Sequence, residues 1–299
     1  MSHITYNLRH TTLYDYSGSV TQAHHLVKLK PRETASQRCL GFELTINPGI
    51  GEFPTHIDYF GNHCAVLSLE REHSRLEITA KSRVAVGMPF FPPPSETLSW
   101  EIVRGQVLTD RGAKGLKAME FTYESSLIPI VPGVAEYAAQ SFTAGRPILE
   151  AAEDLTKRIF ADFTFDPTAT TVATPVAEFF EKRRGVCQDF AQFQISCMRS
   201  LGLSARYVSG YLETDPPPGA EKLVGADASH AWVSLYCPGI GWIDLDPTNG
   251  CLPSLRHITI GWGCDYRDIC PVRGVIHGGG THRLSVAVDV NSSNTTEVV

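Results

Sequence analysis

Cys187 is the one cysteine of eight whose sequence surroundings favour chemistry. It follows Arg183, Arg184 and Gly185, and the apolar residues after it recur at helical spacing up to Gly202. This pattern predicts a helix that has Cys187 in its first turn. Unpaired backbone N–H groups and the positive end of the helix dipole favour a thiolate there, and they can also stabilise an oxyanion formed when the sulfur attacks a carbonyl. Cys187 is therefore a candidate nucleophile, although this segment alone fits a small residue at a tight helix start equally well.

The other cysteines lack that setting. Cys197 falls on the apolar face of the same predicted helix and is expected to pack in the core. Those at positions 39, 64, 237, 251, 264 and 270 show neither paired spacing nor a helix start. A metal site built from His230, Cys237, Cys251 and Cys264 would lack the CxxC or HxxxH spacing of metal-binding motifs. We therefore expect free thiols in a reducing compartment, no metal and no cofactor.

His230 begins a clear strand, and a histidine is well suited to accept a thiol proton near neutral pH. Residues 229–236 and 240–246 form a hairpin by composition. A three-residue turn over 237–239 would place His230 directly opposite Asp246. Opposed Cβ atoms in an antiparallel pair lie roughly 4.5 to 5.5 Å apart, which suits a hydrogen bond between a carboxylate and an imidazole. Asp246 is therefore the predicted partner of His230.

Other registers would change that pairing. A turn two residues longer makes His230 and Asp246 diagonal neighbours on one face, whereas an odd change separates them across the sheet. Asp244 shares the face and is the rival candidate, but only Asp246 lies opposite His230 in the tightest register, and Pro247 then ends the strand. Taken singly, His230 also fits a strand histidine bonded to backbone, and Asp246 a residue that prepares a turn. Because His230 and Asp246 occur in the same chain as the candidate nucleophile Cys187, a catalytic role for the three residues is favoured.

The flanking segments supply the elements that must position these residues. Alternating apolar residues over 5–16, 40–46 and 76–86 predict an antiparallel β-sandwich over residues 1–94. The proline-rich stretch 89–95 cannot continue a strand or a helix and marks a domain boundary. A second domain is predicted over residues 95–290, with helices over 147–160 and 174–183 and its motifs within 180–250. Residues 291–299 are polar and predicted to be a disordered tail.

Composition excludes some classes of function. A formal net charge of -6 gives no broad basic field for nucleic acid or for an anionic membrane surface. The N-terminus MSHITYNLRH does not resemble a secretory signal, and no segment approaches the roughly 18 apolar residues of a membrane span. We expect a cytoplasmic protein that binds neither nucleic acid nor membrane. The sequence does not indicate its oligomeric state.

Four segments of the second half of the chain carry recognisable motifs: in chain order, RRGVCQDFA, LGLSARYVSGYLET, GADASHAWVSLY and GWIDLDPTNG. They resemble the transglutaminase core superfamily, and in particular its bacterial transglutaminase-like cysteine proteases. YNLRHTTLYDYSGSV, VKLKPRE and DYFGN also resemble the β-rich N-terminal domain that accompanies such cores, so the resemblance spans most of the chain. It implies an α+β fold: the N-terminal β-sandwich, then a papain-like transglutaminase core with its nucleophile at a helix N-terminus against an antiparallel sheet.

The resemblance also implies residue roles. Cys187 would be the nucleophile, His230 the base and Asp246 the residue that orients the imidazole. In eukaryotic transglutaminases a tryptophan indole assists the oxyanion, and no position here is matched to it. Three further residues are candidates for lining the site: Gln188, Asp189 and Trp232.

These roles predict thioester chemistry on a peptide or protein substrate. If water resolves the thioester, the protein is a cysteine peptidase or amidase acting on peptide, isopeptide or carboxamide bonds. If a second amine resolves it, the protein is a protein-glutamine transglutaminase. Hydrolysis is favoured by analogy with bacterial relatives described as proteases. A binding module that keeps the fold without catalysis is the remaining alternative.

Overall fold

The computed structural model describes residues 3–214 and 229–293. The N-terminal strands are β1 (His3–Val27), β2 (Gln37–Asn47), β3 (Thr55–Ile57), β4 (His63–Leu69) and β5 (His73–Gly87). After a short 3-10 turn at Pro94–Glu96 come α1 (Trp100–Thr109), α2 (Ala113–Met119), a second 3-10 turn (Glu120–Thr122), α3 (Val134–Ala139), α4 (Ile148–Asp162), β6 (Thr164–Phe165), α5 (Val176–Lys182) and β7 (Arg184–Gly185). The remaining elements are α6 (Cys187–Ser200), β8 (Ala205–Leu212), β9 (Ser229–Cys237), β10 (Gly241–Leu245), β11 (His257–Gly263), α7 (Tyr266–Ile269), β12 (Val272–Gly278) and β13 (His282–Ser293). The predicted α+β fold class is confirmed.

The long strand β1 organises the N-terminal sheet. Its first half pairs antiparallel with β5 and β13, and its second half pairs antiparallel with β4 and β12. Alternate side chains of the first half, including Tyr6, Leu8, His10 and Thr12, are buried on one face, as the period-two pattern predicts. Because the sheet curls, residues from both halves of β1 share a core with β4 and β5.

The two C-terminal strands return to the N-terminal sheet. The sequence predicts a second domain over residues 95–290, yet β12 and β13, which begin within that range, hydrogen-bond along β1. The predicted tail began at residue 291, but Asn291, Ser292 and Ser293 are paired with β1 and extend the sheet, so that part of the prediction is wrong. Residues 294–299 lie outside the described residues. Strand pairing between the two chain ends is a long-range contact that local composition does not reveal.

The second half of the chain is built around α6 and a four-stranded antiparallel sheet in the order β10-β9-β8-β11. Residues Gln188 to Arg199 of α6 are all buried, so this helix is the centre of the core. Phe193 packs at 4.8 Å between ring centroids against Phe163. The buried Arg199 guanidinium donates to the carbonyls of Ala205 and Cys264 at 2.9 and 2.7 Å, which fixes the end of the helix. A helix held on all sides gives its first turn a defined position.

The β9–β10 hairpin has a different register from the predicted one. Cys237 pairs with Gly241 and Leu235 with Ile243, so the turn spans residues 238–240 and the predicted turn over 237–239 is wrong. Gly239 adopts φ +84°, a conformation that favours glycine, at the tip of this turn. The shift moves each partner by two positions. Because an even shift conserves the face, His230 and Asp246 still lie on the same side of the sheet, as diagonal neighbours.

Candidate active site

Cys187 is the first residue of α6, as the sequence predicts. The Val186 N–H immediately before it donates to Asp189 Oδ2 at 2.8 Å, and Thr170 Oγ1 donates to the same oxygen at 2.6 Å. Asp189 thus caps the helix from its third position and is buried; this burial raises the pKa of its carboxyl group. It holds the helix start in place and is not among the described residues that line the adjoining cavity.

His230 lies on β9 next to Cys187. Its Nε2 atom is 2.7 Å from Asp246 Oδ2, and the side chain of Cys187 hydrogen-bonds to the same imidazole. Since Nε2 faces Asp246, Nδ1 is the ring nitrogen available to the thiol. The Cys187 sulfur also lies 3.9 Å from the Ser229 carbonyl oxygen. The structure therefore brings the three residues predicted from the sequence into one chain of contacts.

Asp246 lies one residue beyond β10 and is fully buried. Its Oδ1 accepts the backbone N–H groups of Thr248 and Asn249 at 3.0 and 3.2 Å. Its Oδ2 accepts Asn249 Nδ2 at 2.7 Å in addition to His230 Nε2. The two backbone N–H groups after Pro247 and the Asn249 side chain therefore all donate to this carboxylate. A buried carboxylate with this many donors is held ionised and immobile.

His257 supplies a further donor, which the sequence does not predict. Its Nε2 atom lies 3.0 Å from Asp246 Oδ2, while the Ser254 N–H donates to its Nδ1 at 3.2 Å. Because Nδ1 accepts, the ring N–H is on Nε2 and points at the carboxylate. His257 reaches the site because β11 pairs with β8 in the same sheet as β9. No local signal marks that pairing, so sequence spacing alone could not have identified this residue.

The protonation of the pair follows from these contacts. Burial alone would lower the pKa of His230, but the hydrogen bonds with Asp246 and Cys187 and the negative charge of Asp246 raise it to about 10. Burial alone would raise the pKa of Asp246, but the hydrogen bonds from His230 and His257 and the charge of His230 hold it well below its usual range. At neutral pH the pair is imidazolium and carboxylate.

Asp244, the rival candidate, has a different partner. Its Oδ2 accepts the indole N–H of Trp232 at 3.1 Å. Trp232 is fully buried, with its ring centroid 6.0 Å from that of His230 and 5.4 Å from that of His257. It packs beneath the imidazoles and is not among the described residues lining the cavity, and its N–H is engaged by Asp244. Gln188, by contrast, does line the cavity and donates from Nε2 to the Val172 carbonyl.

Three other cysteines are poor nucleophiles for a physical reason. Burial raises the pKa of the Cys237 and Cys264 thiols to about 12 and also raises that of Cys197. These three remain thiols at neutral pH. Cys197 packs in the core, as the sequence predicts.

His230, Asp246 and His257 also form a cluster of potential metal ligands, with ligand atoms within 4.8 Å of one another. Two ligands of a tetrahedral zinc ion, each about 2.1 Å from the metal, would be roughly 3.4 Å apart. The N···O distances here are 2.7 and 3.0 Å, which are hydrogen-bond lengths. The geometry of this cluster is that of a hydrogen-bonded network around Asp246.

Cys187 opens into a cavity of about 400 Å³ between the second half of the chain and the N-terminal sheet. The core side contributes the residues around the thiol and imidazole, and the N-terminal sheet contributes residues of β1 and β13. The lining includes Val186, Cys187, Gln188, Tyr207, Ser209, Ser229, His230, Ala231 and Tyr266 from the core, and His10, Thr12, Tyr14, Leu284 and Val286 from the sheet. This is the space in which a reacting carbonyl group can meet the sulfur.

Two family models match the chain. The bacterial transglutaminase-like N-terminal region matches residues 6–85, and the transglutaminase-like superfamily matches residues 135–247, a range that contains Cys187, His230 and Asp246. An uncharacterized protein of Mycobacterium tuberculosis is 41% identical over 290 residues, which are 95% of this chain and 92% of that protein. The chain belongs to the transglutaminase-like superfamily of cysteine enzymes and carries the bacterial N-terminal region of that superfamily.

Two further similarities are informative. A protein-glutamine gamma-glutamyltransferase of Pseudomonas aeruginosa is 37% identical over 93 residues, which are 30% of this chain and 14% of that protein. The crystal structure of a candidate cysteine protease from Cytophaga hutchinsonii superposes with a TM-score of 0.77 at 19% identity and covers 99% of this chain and 92% of that one. The second similarity shows a shared fold over the aligned part of the chain. Within residues 3–214 and 229–293, no helix is long and apolar enough to cross a membrane.

Proposed function

We propose that this protein is a cysteine hydrolase that cleaves peptide, isopeptide or carboxamide bonds through a thioester on Cys187, with His230 and Asp246 completing its catalytic triad. The observation that carries the proposal is the contact chain from the thiol at the start of α6 through His230 to the buried carboxylate of Asp246. If these three residues served only packing, there would be no reason for a nucleophile, a base and an acid that orients the base to contact one another in this sequence.

In the first half of the reaction, the Cys187 proton resides on His230 and the thiolate attacks the substrate carbonyl carbon. The carbonyl π electrons move to oxygen, and the N–H groups at the start of α6 face the developing oxyanion. The tetrahedral species collapses when the imidazolium gives its proton to the leaving amine, and a thioester remains on Cys187. Asp246 accepts the Nε2 hydrogen bond throughout, so Nδ1 stays directed at the sulfur and the leaving group.

In the second half, the neutral imidazole accepts a proton from water as the water oxygen attacks the thioester carbonyl. Collapse of this second tetrahedral species expels the Cys187 thiolate and releases a carboxylic acid. His257 supports both halves because its Nε2–H fixes the Asp246 oxygen to which His230 is bonded. It touches no reacting atom and is a positioning residue.

Transfer to an amine is the second candidate, because part of the chain is similar to a protein-glutamine gamma-glutamyltransferase. The thioester is the same in both reactions, and only the attacking group differs. One experiment separates them: a tryptic digest of casein is incubated with the protein, with and without the primary amine monodansylcadaverine, and analysed by mass spectrometry. Hydrolysis yields new peptide termini or Gln converted to Glu, whereas transfer yields dansyl-labelled glutamine.

The matched variants are Cys187→Ala and Cys39→Ala, the latter on β2 of the N-terminal sheet. We expect Cys187→Ala to abolish every product and Cys39→Ala to retain them. Products that persist in Cys187→Ala would contradict the mechanism. If the wild-type protein forms neither a product nor an acyl adduct, the binding-module alternative is favoured.

A further inference from the structure

The N-terminal sheet packs face to face against the core. Next to Cys187 the two faces are no longer in contact. On β13, Val288 and Val290 share one face and are buried against Tyr211 and Ile258 of the core sheet. The next residues on the same face, Val286 and Leu284, are each 51% exposed and line the cavity at Cys187. An apolar face that is covered at one end therefore runs uncovered into the active-site cavity.

The neighbouring strand β1 continues the same surface. Leu8 and His10 lie opposite Val290 and Val288, and Thr12 and Tyr14 lie opposite Val286 and Leu284. From the other side of the cavity, Phe165 contributes a ring that is 53% exposed. Exposed apolar groups gathered at one concave site indicate a surface that a ligand covers.

The charges of the cavity lining support the same conclusion. Among the described residues that line this cavity there is no Asp, Glu, Lys or Arg. His10 is buried, which lowers its pKa to about 4 and keeps it neutral at physiological pH. Among the described lining residues, the imidazolium of His230 is thus the charged group, and it is paired with Asp246. A charged substrate group in this space would lose its hydration, and the imidazolium that a carboxylate would meet there is already paired with Asp246.

We infer that the acyl donor carries an uncharged, largely apolar group, of the size of an aromatic or long aliphatic side chain, which fills the gap between the N-terminal sheet and the core. The inference rests on the proposed function, because it describes the substrate that delivers its carbonyl to Cys187. The N-terminal sheet thereby becomes part of the substrate site, with Leu284 and Val286 as its contacts.

Alkylation of Cys187 tests this inference without requiring amide turnover. The probes are two chloroacetamides with the same reactive group, one bearing an N-benzyl and one an N-carboxymethyl substituent, with iodoacetamide as the small reference reagent. In the wild-type protein we expect the N-benzyl probe to react at Cys187 about tenfold faster than the N-carboxymethyl probe, relative to their rates with free cysteine, because a ring is buried. Attraction of a carboxylate by the His230 imidazolium works against this preference and does not create it.

The matched variants are Leu284→Asp and Val286→Asp in the cavity, and Val275→Asp on β12, where Val275 is 69% exposed and outside this lining. In the first two variants we expect the ratio of the N-benzyl rate to the N-carboxymethyl rate to fall to about one. In Val275→Asp this ratio should stay at the wild-type value. Iodoacetamide should react at the same rate in all three variants. If an aspartate variant does not fold, Leu284→Asn and Val286→Thr replace it, with a smaller loss of preference expected. Equal rates of the two probes in the wild type, or a preference unaffected by these substitutions, would overturn the inference.

Failure of this inference and failure of the proposed function give different results. Loss of all amide turnover with the probe preference intact would contradict the hydrolase proposal alone. Normal turnover that depends on Cys187 but shows no probe preference would contradict this inference alone.

Discussion

The Nε2 atom of His257 lies 3.0 Å from Oδ2 of Asp246, the same oxygen that His230 approaches from the other side. The Ser254 N–H fixes the tautomer of His257, so the imidazole is a hydrogen-bond donor to Asp246. The carboxylate is thereby anchored by two histidines, and only one of them is adjacent to the thiol. The position of His230 therefore depends in part on His257, which is not among the described residues that line the cavity.

Removing the His257 donor should lower the rate without removing the nucleophile. We expect His257→Phe to reduce turnover of p-nitrophenyl acetate about 10- to 100-fold, as is usual when a residue that orients a catalytic group is lost. His257→Gln, which keeps an N–H donor, should lose less. Because the His257 hydrogen bond lowers the pKa of Asp246, the acid limb of the pH–rate profile should move to higher pH in His257→Phe.

The control for that experiment is His277→Gln, on the exposed part of β12. Its rate and its acid limb should match those of the wild type. A His257→Phe variant that loses stability but keeps its rate and pH profile would assign His257 a structural role only.

Substitutions of Asp246 and of Asp244 should have different effects on rate and stability. Asp246→Asn removes the acceptor of the His230 hydrogen bond, and we expect turnover to fall by on the order of a thousandfold or more. Asp244→Asn removes the charged acceptor of the Trp232 indole N–H and should cost about 1 kcal/mol of the free energy of unfolding with little change in rate. Steady-state rates and urea unfolding of the two variants check this; a larger loss of rate in Asp244→Asn would reverse the assignment.

The His230–Asp246 pair should give stability a defined pH dependence. The folded pKa of His230, about 10, lies above the ordinary histidine value of about 6.5, so its contribution is fully present below about pH 6.5 and is lost as the pH rises through 10. The folded pKa of Asp246 is depressed, so its contribution is present above about pH 4 and is lost as the pH falls further.

The measurement compares the free energy of unfolding in urea with and without Asp246→Asn, both in a Cys187→Ala background, where the contribution of the thiol to the pKa of His230 is removed and that of Asp246 remains. The stability difference between the two proteins should shrink by more than about 1 kcal/mol between pH 6.5 and 10. A difference that stays constant over that window would mean that His230 is not protonated in the folded protein.

Asp189 should stabilise the helix start that presents the nucleophile. Because its carboxylate accepts the Val186 N–H and the Thr170 hydroxyl, we expect Asp189→Ala to cost about 1 to 2 kcal/mol and to slow alkylation of Cys187. Glu153→Ala is the control, since its surface ion pair with Lys157 at 3.3 Å should contribute only a few tenths of a kcal/mol. Unchanged stability in Asp189→Ala would contradict the capping role.

The sequence predicted the local parts of the site well. Cys187 at a helix start follows from the apolar spacing after Gly185, and His230 with Asp246 follows from the parity of a hairpin. The register was wrong by two because glycine at position 239 allows a turn over 238–240, yet parity alone decides the face, so the pairing remained correct. Local patterns specify periods and faces, and the side chains of the site inherit those faces.

The parts of the site that depend on long-range contacts could not be predicted from local sequence patterns. His257 reaches Asp246 through the pairing of β11 with β8, and the cavity wall at Leu284 and Val286 exists because the C-terminal strand returns to β1. Both contacts join segments far apart in sequence, and their energetics depend on tertiary packing, so neither composition nor spacing encodes them locally. The sequence makes Asp189 a candidate for lining the site, but its side chain accepts a backbone N–H at the helix start instead.

The most direct test of the account is the identity of the acylated atom. The protein is mixed with p-nitrophenyl acetate, quenched in acid within milliseconds to seconds, digested and mapped by mass spectrometry. We predict an acetyl group on Cys187 that is discharged by hydroxylamine or with time in wild-type protein, that accumulates in Asp246→Asn, and that is absent from Cys187→Ala. Release of p-nitrophenol at the wild-type rate without an acetyl adduct on Cys187, or with the adduct on another residue, would contradict the central claim.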